Sequence, residues 1–408
     1  MKVLVINNAM TPYVKAVYDR VVDMGISVTI VIPQSINLKV VGAGVKQIDS
    51  TVGKVKVVKT RQKKMWYGKL GLLDLKEIIL SEAPDIVTFC WPYFLQLFFQ
   101  PSLRMFLKKT NTKLMIAEIP FMVPPYGKIF SYYNENVFYN ENMEVLSKGK
   151  IFYIKSIVTM FLRKKCYSWI DGTINYLDIS KDLWSSYGVP KEKIHIVHNS
   201  TDTDILFSQK EKILKKSPLL PPRRYILHIG RLVKWKRVDL LIDAFHLFSH
   251  KYQDVCLLII GDGPEIDALK QMSINLGLND KVIFIGAVYD SFQLGQYMAE
   301  SSIYVLAGMG GLSINDAMAY GLPIICSRAD GTELYLVKEN YNGLFFKEGD
   351  KLDLANKIEQ LLIDESIRKK MGENSLKIIK EKENINVVSR NYWNAFNQVY
   401  GKVAQIHK

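Results

Sequence analysis

Residues 225–230 read YILHIG, and apolar, β-branched runs of the same kind return as CLLIIG at 256–261, VIFIG at 282–286, IYVLAG at 303–308 and PIICS at 323–327. Longer amphipathic stretches separate them, for example RVDLLIDAFHLFSHKY at 237–252. Uninterrupted apolar runs of strand length alternating with helix-period segments predict a parallel sheet covered by helices on both faces. The same rhythm precedes this region: KVLVI at 2–6, the helix-like TPYVKAVYDRVVDMG at 11–25, VTIVI at 28–32, DIVTF at 85–89, KLMIAE at 113–118, GTINY at 172–176 and KIHIVHN at 193–199. Between the two series, QKEKILKKSPLLPPRR at 209–224 is charged, proline-bearing and without sustained periodicity, which reads as a linker. The expected fold is α/β, with two tandem doubly wound, Rossmann-like domains over 1–208 and 225–385, facing each other across a cleft. A last helix over 386–408 returns towards the first domain. Ligands are expected at the carboxyl ends of the strands and in the cleft.

Composition agrees with two folded domains. Of 408 residues, 48% are apolar and 23% charged, which excludes disordered, collagen-like and disulfide-rich chains. The net charge of +14 is unevenly spread: residues 1–205 hold 27 basic and 17 acidic side chains, a balance of +10, and the remainder 27 and 23, a balance of +4. A basic first half suggests an anionic partner: a phosphorylated substrate, an acidic membrane surface or nucleic acid. Cys90, Cys166, Cys256 and Cys326 are far apart, show no CxxC spacing and read as thiols in a reducing compartment. The MKVLVINN start reads as a strand rather than a secretory leader. The long apolar region 86–107 is interrupted by Pro92, Gln96, Gln100, Pro101 and Arg104, so no membrane-spanning helix is expected.

Two loops carry the chemistry. In GRLVKWKRVDLLIDAF at 230–245 a strand ends at Gly230, and Arg231 and Lys236 stand in the loop leading to a helix, where a guanidinium fork and a point charge can clamp a diphosphate. On composition alone Lys234 and Arg237 compete for these roles. In IYVLAGMGGLSINDAMAYGLPII at 303–325 a strand runs into Gly308, Gly310 and Gly311, and a helix begins near Leu312 or Ser313. Glycines let a phosphate approach the backbone, and free amides at a helix start favour negative charge. Asp316, one turn further, is placed to accept hydrogen bonds from ribose hydroxyls. Neither this loop nor GDGPEI at 261–266 completes a dinucleotide GxGxxG fingerprint.

Together with LLIIGDGPEIDAL, VIFIGAV, GLSINDAMAYGLPIICS and NGLFF at 342–346, these motifs resemble the retaining, nucleotide-sugar-dependent glycosyltransferases of family four, with the GT-B fold. The resemblance is strong over 225–385; in the first half, VHNSTDTDILF resembles the family's segment leading out of the first domain. It implies an acceptor-binding first domain and a donor-binding second one. Arg231 and Lys236, with Gly230, match the donor-diphosphate ligands. Gly310, Gly311, Leu312 and Ser313 match the loop whose amides meet the phosphates, Ala287, Val288 and Tyr289 the loop bordering the base, and Asp316 the second glutamate of the family's pair. Three departures stand out. The first glutamate of that pair falls at Gly308; the glycine-rich loop after the first strand is replaced by Asn7, Asn8, Ala9, Met10 and Thr11; and the family's first-domain histidine has no counterpart, the strand KLMIAE ending in Glu118. Glu118 becomes the candidate first-domain catalytic carboxylate beside Arg231 and Lys236, and Asn7 and Asn8 the candidate side chains of the first loop.

Other features weigh less. The DTD at 202–204 fits the domain exit better than a metal site, His198 and His228 lie in strand-like runs, and the six histidines show no zinc spacing. No metal or cofactor is expected beyond the nucleotide sugar, UDP- or GDP-linked, as co-substrate. RQKKMWYGK at 61–69, SLRMFLKKTNTK at 102–113 and KIFYIKSIVTMFLRKKCYSW at 150–169 interleave cations with aromatic and aliphatic residues, a composition suited to an anionic membrane or, equally, to amphipathic helices facing a core. The sequence reading is a cytoplasmic transferase working peripherally at the inner face of a membrane, moving a hexose-type sugar to a glycan or lipid-linked acceptor, with no nucleic-acid partner. Its alternatives are a nucleotide-sugar epimerase or hydrolase of the same architecture and a non-catalytic nucleotide-sugar-binding protein.

Overall fold

The computed structural model describes residues 1–34, 53–140, 143–329 and 331–401. The chain forms two compact units. The first comprises Met1–His198 together with the C-terminal segment from Asn386, and the second Asn199–Ile385.

In the first unit, β1 (Lys2–Ile6), β2 (Ser27–Pro33), β3 (Lys56–Thr60), β6 (Ile86–Cys90), β7 (Lys113–Ala117), β8 (Gly172–Asn175) and β9 (Ile194–Ile196) form a parallel sheet in the order β3-β2-β1-β6-β7-β8-β9. A short antiparallel ribbon, β4 (Gln62–Lys64) with β5 (Leu70–Leu72), stands apart from it. Pro12 opens the first helix, Pro12–Asp23, where its fixed φ suits the first turn and its missing N–H costs no hydrogen bond. The helix Ile385–Tyr400 closes the unit, with the Trp393 indole donating to the Met24 carbonyl at 3.1 Å.

The second unit is built the same way. Here β10 (Arg224–Ile229), β11 (Val255–Ile260), β12 (Val282–Gly286), β13 (Ser301–Leu306), β14 (Ile324–Cys326) and β15 (Gly343–Phe345) pair in the order β12-β11-β10-β13-β14-β15, all parallel. Every residue of β11 is buried, as expected of a strand with helices on both faces. Leu257 and Ile259 pack towards one core with Leu241 and Phe245, while Leu258 and Ile260 pack towards the other with Tyr304 and Met318. The strand order reverses at β10 and β13, and a crevice opens beyond the carboxyl ends of strands at such a switch.

The expected linker is corrected in part. Residues Thr203–Ile213 are a helix of the second unit, burying Leu206 and Ile213 in its core. Lys210 Nζ donates to the carbonyls of Ala319 and Tyr320, so even a cation of this segment is built into the unit. The helix presents a narrow apolar stripe among lysines, too thin to show as periodicity. The C-terminal helix groups with the first unit, and β3, β5 and β15 are further strands that the apolar runs did not mark.

Candidate functional site

Four neighbouring strands of the second sheet lead into glycines at their carboxyl ends: Gly261 after β11, Gly230 after β10, Gly308 shortly after β13, and Gly286 closing β12. Two of these glycines are demanded by the packing. A Cβ on Gly261, whose φ is +147°, would lie 1.8 Å from the Gly230 carbonyl oxygen, and one on Gly308 would lie 2.2 Å from the Trp235 carbonyl oxygen. The edge is therefore bare backbone, over which the loop 230–237 folds.

That loop separates cations that the sequence left in competition. Lys234 is exposed. Arg237, at the left-handed turn before the helix Val238–Ser249 (φ 51°), turns to Asp239, its Nε 3.2 Å from Oδ1. Lys236 is buried instead: its ammonium donates to the Met309 carbonyl at 2.8 Å and to the Gly310 carbonyl, and it lies against Gly311. The Met309 amide returns a bond to the Trp235 carbonyl at 2.8 Å, clasping the two loops together. Arg231 is half-buried beside the Trp235 ring, 5.8 Å from its centre, and among the described residues no carboxylate pairs with it. Burial holds its guanidinium below the ordinary arginine range, the mark of a cation without a protein counter-ion.

Beyond Gly310, the backbone N–H groups of Gly311, Leu312 and Ser313 lead into the helix Ser313–Ala319 and bond to no acceptor among the described residues. Ser313 is fixed by the buried Tyr304, whose hydroxyl lies 2.7 Å from Ser313 Oγ and 3.2 Å from the Ile229 carbonyl oxygen. Tyr304 thereby ties the end of β10 to the start of this helix, a contact that sequence reading missed because the tyrosine sits inside an apolar strand. Asp316 follows on the same helix. Its Oδ1 is sealed from solvent without a hydrogen-bond partner, and desolvation pushes the carboxyl up to about 6, the Thr201 hydroxyl beside it drawing the other way. Ala287 and Tyr289 are exposed just past β12, with Val288 partly buried between them. His228, beneath the loop, is fully buried. Its Nδ1 faces the Val305 carbonyl at 3.1 Å, and burial pushes the imidazole down to about 4, so it is a neutral packed histidine, as its strand position suggests.

The first unit places its candidates differently. Asn7 and Asn8 follow β1, the Asn8 amide donating to Asn7 Oδ1 at 2.8 Å, so one side chain of the pair is used to turn the chain. Glu118, after β7, is corrected from a poised carboxylate to a member of a buried ion pair. Arg163 reaches it with Nη2 to Oε1 at 2.6 Å and Nε to Oε2 at 3.3 Å, and the Tyr167 hydroxyl donates to Oε2. Arg163 also lies over the Trp91 ring at 4.4 Å. Both Glu118 oxygens are thus occupied in pinning the helix Lys150–Tyr167 to the strand ends, a partner 45 residues away that strand periodicity could not reveal. No group of three His, Cys, Asp or Glu is placed to hold a metal among the described residues.

Comparison with known proteins fits this geometry. Residues 209–378, which lie within the second unit, match the family described as glycosyl transferases group 1. N-acetyl-alpha-D-glucosaminyl L-malate synthase of Bacillus anthracis is 30% identical over 47% of this chain and 50% of its own length. The capsular polysaccharide biosynthesis glycosyltransferase CapM of Staphylococcus aureus is 28% identical over 53% of each. The chain thus spans about half the length of the curated relatives it matches. Among solved structures, Anabaena HepE in complex with UDP superposes with a TM-score of 0.68 at 16% identity, covering 98% of this chain and 100% of that one, which establishes the GT-B fold.

Proposed function

We propose that the protein is a glycosyltransferase that moves a hexose-type sugar from a nucleoside-diphosphate donor to a glycan or lipid-linked glycan acceptor in the synthesis of a cell-surface polysaccharide. The observation that carries the reading is the meeting, at one switch point, of an uncompensated Arg231, the Lys236 ammonium and three successive unbonded amides at Gly311, Leu312 and Ser313. Breaking the bond between sugar and diphosphate leaves negative charge on the departing phosphate. Preorganised donors aimed at that charge lower the barrier with no metal ion required. Lys236 Nζ donates to the carbonyls of Met309 and Gly310, which are weaker partners for an ammonium than a phosphate. Asp316 is assigned to the ribose hydroxyls, the loop Ala287–Tyr289 to the base, and the first unit to the acceptor. Retention of configuration belongs to the reading through the resemblance. CapM's role in capsular polysaccharide biosynthesis and the UDP bound to HepE support the acceptor class and a uridine donor respectively.

Gly308 favours a second reading, a nucleotide-sugar-binding protein without transferase activity. Where the family carries a glutamate near the sugar, this chain has packed backbone. The two readings separate in one assay: incubation with UDP- and GDP-sugars and a panel of lipid-linked acceptors, using wild type, Arg231→Ala and Lys236→Ala. Transfer by the wild type, lost in both variants with unfolding curves unchanged, supports the transferase. Nucleotide binding without transfer to any acceptor supports the second reading, and undiminished turnover in both variants removes the site assignment.

A further inference from the structure

The helix Lys150–Tyr167, KIFYIKSIVTMFLRKKCY, carries five basic residues and no acidic one. Its inner face buries Met160, Arg163, Cys166 and Tyr167 in the first unit. Its outer face is also apolar: Ile151, Ile154, Val158 and Phe161, spaced three and four apart, form one stripe whose members are 52% to 68% exposed. A surface helix ordinarily turns polar residues outward, so a second apolar stripe marks a face that something else covers. Lys150, Lys155, Lys164 and Lys165 fringe this stripe, all exposed and none with a carboxylate partner among the described residues. Phe130, 56% exposed, stacks on Tyr153 at 4.8 Å and widens the apolar surface.

The other two basic and aromatic segments are tied to the same helix. Directly after it, Trp169 lies under the Arg104 guanidinium at 4.0 Å, so the helix Pro101–Lys109, with exposed Met105, Lys108 and Lys109, adjoins its end. Trp169 stacks on Phe98 at 6.1 Å, Phe98 meets Phe99 at 5.0 Å, and Phe99 meets Trp66 at 4.9 Å. Trp66 stands 80% exposed in the turn between β4 and β5, with Lys63, Lys64 and Lys69 around it. One run of aromatic contacts therefore joins all three segments, which also accounts for much of the charge excess of the first half.

We propose that these segments form a membrane-docking surface whose occupant is the headgroup and upper acyl region of an anionic lipid bilayer. Aliphatic side chains enter the boundary, lysines meet lipid phosphates, and Trp66 takes the interfacial position favoured by indole rings. A second copy of the chain fits less well, because protein interfaces are depleted in lysine and like charges would face each other across a two-fold contact. The proposal goes beyond the donor reading and does not depend on it.

The test is co-sedimentation of the full chain with vesicles of phosphatidylcholine alone and of phosphatidylcholine with 30% phosphatidylglycerol, alongside UDP titration and sedimentation equilibrium. The wild type is expected to bind the anionic vesicles and release at high salt. The double variant Ile154→Asp/Phe161→Asp, and separately the quadruple Lys→Gln variant at 150, 155, 164 and 165, are expected to lose at least tenfold in vesicle affinity with thermal unfolding and UDP binding unchanged. Absence of wild-type binding, equal binding by both variants, or a wild-type dimer that the same substitutions disperse without any vesicle binding would each overturn the proposal. A failure of UDP binding with vesicle binding intact would count against the donor reading alone.

Discussion

The strand ends of the two sheets hold charge in opposite ways. In the first unit Glu118 is met by the Arg163 fork and the Tyr167 hydroxyl, a closed set in which each charged group has its partner. In the second unit, among the described residues, Arg231 has no carboxylate partner, Lys236 donates to carbonyls, and the amides of Gly311, Leu312 and Ser313 bond to no acceptor. A buried charge with a complete set of partners holds a structure together, because removing either side leaves the other stranded. A half-buried guanidinium without a carboxylate, beside backbone amides at a helix start, suits an anionic ligand, and this difference is the reason the proposed donor site is assigned to the second unit.

The comparison can be broken most forcefully at Glu118. Glu118→Gln is expected to destabilise the chain by about 3 to 5 kcal/mol, the cost of leaving a buried guanidinium unpaired, while UDP binding by the second unit persists. Denaturant unfolding and titration check both halves. Full stability with loss of turnover would return Glu118 to catalysis.

Asp316, assigned to the ribose in the proposed donor site, sharpens the contrast from the other side, because a desolvated carboxylate costs stability. Its carboxyl lies near 6 in the folded chain against an ordinary 3.8, so the folded state holds the proton more tightly. The protonated acid favours folding below pH 4, and that contribution is lost as the pH rises through 6. Asp316→Asn is accordingly expected to stabilise the chain at pH 8 by about 1 to 3 kcal/mol, with the gain vanishing at pH 4, while weakening UDP by roughly 10- to 100-fold through loss of a charged acceptor. Thermal melts across pH together with calorimetry test the pair of effects. A variant that binds UDP as tightly as wild type would detach Asp316 from the ribose.

The smallest effect is expected at Gly308. Gly308→Glu restores the family's residue, yet its Cβ meets the Trp235 carbonyl at 2.2 Å. The loop must move, at about 1 to 3 kcal/mol, and because Lys236 follows Trp235 directly, UDP affinity is expected to fall with it. Unchanged stability and raised turnover would show that the loop yields and that the lost carboxylate limits the rate.

What the sequence made legible follows from the range of the interactions involved. Strands such as β11 announce themselves because burial on both faces leaves an unbroken apolar run, and the candidate diphosphate loop is visible because its cations and glycines lie within a few residues of one another. The choice among Lys234, Lys236 and Arg237 came from the resemblance and not from residue type, since it depends on carbonyls of Met309 and Gly310 some 73 residues away. The engagement of Glu118 by Arg163, the anchoring of Ser313 by Tyr304 and the helical state of Thr203–Ile213 were hidden for the same reason: each is decided by a partner distant in the chain. The three basic and aromatic segments were seen singly, but their junction through Phe98, Phe99 and Trp169 appears only in the fold.

The central claim, that the carboxyl edge of the second sheet is a nucleoside-diphosphate site centred on Lys236, is tested most directly by calorimetric titration of wild type and Lys236→Ala with UDP and GDP. The account predicts that the wild type binds one of the two nucleotides and that the variant, folded to the same melting temperature, loses at least roughly 100-fold in affinity, as removal of a charged phosphate contact requires. Equal affinity in the two proteins would contradict it.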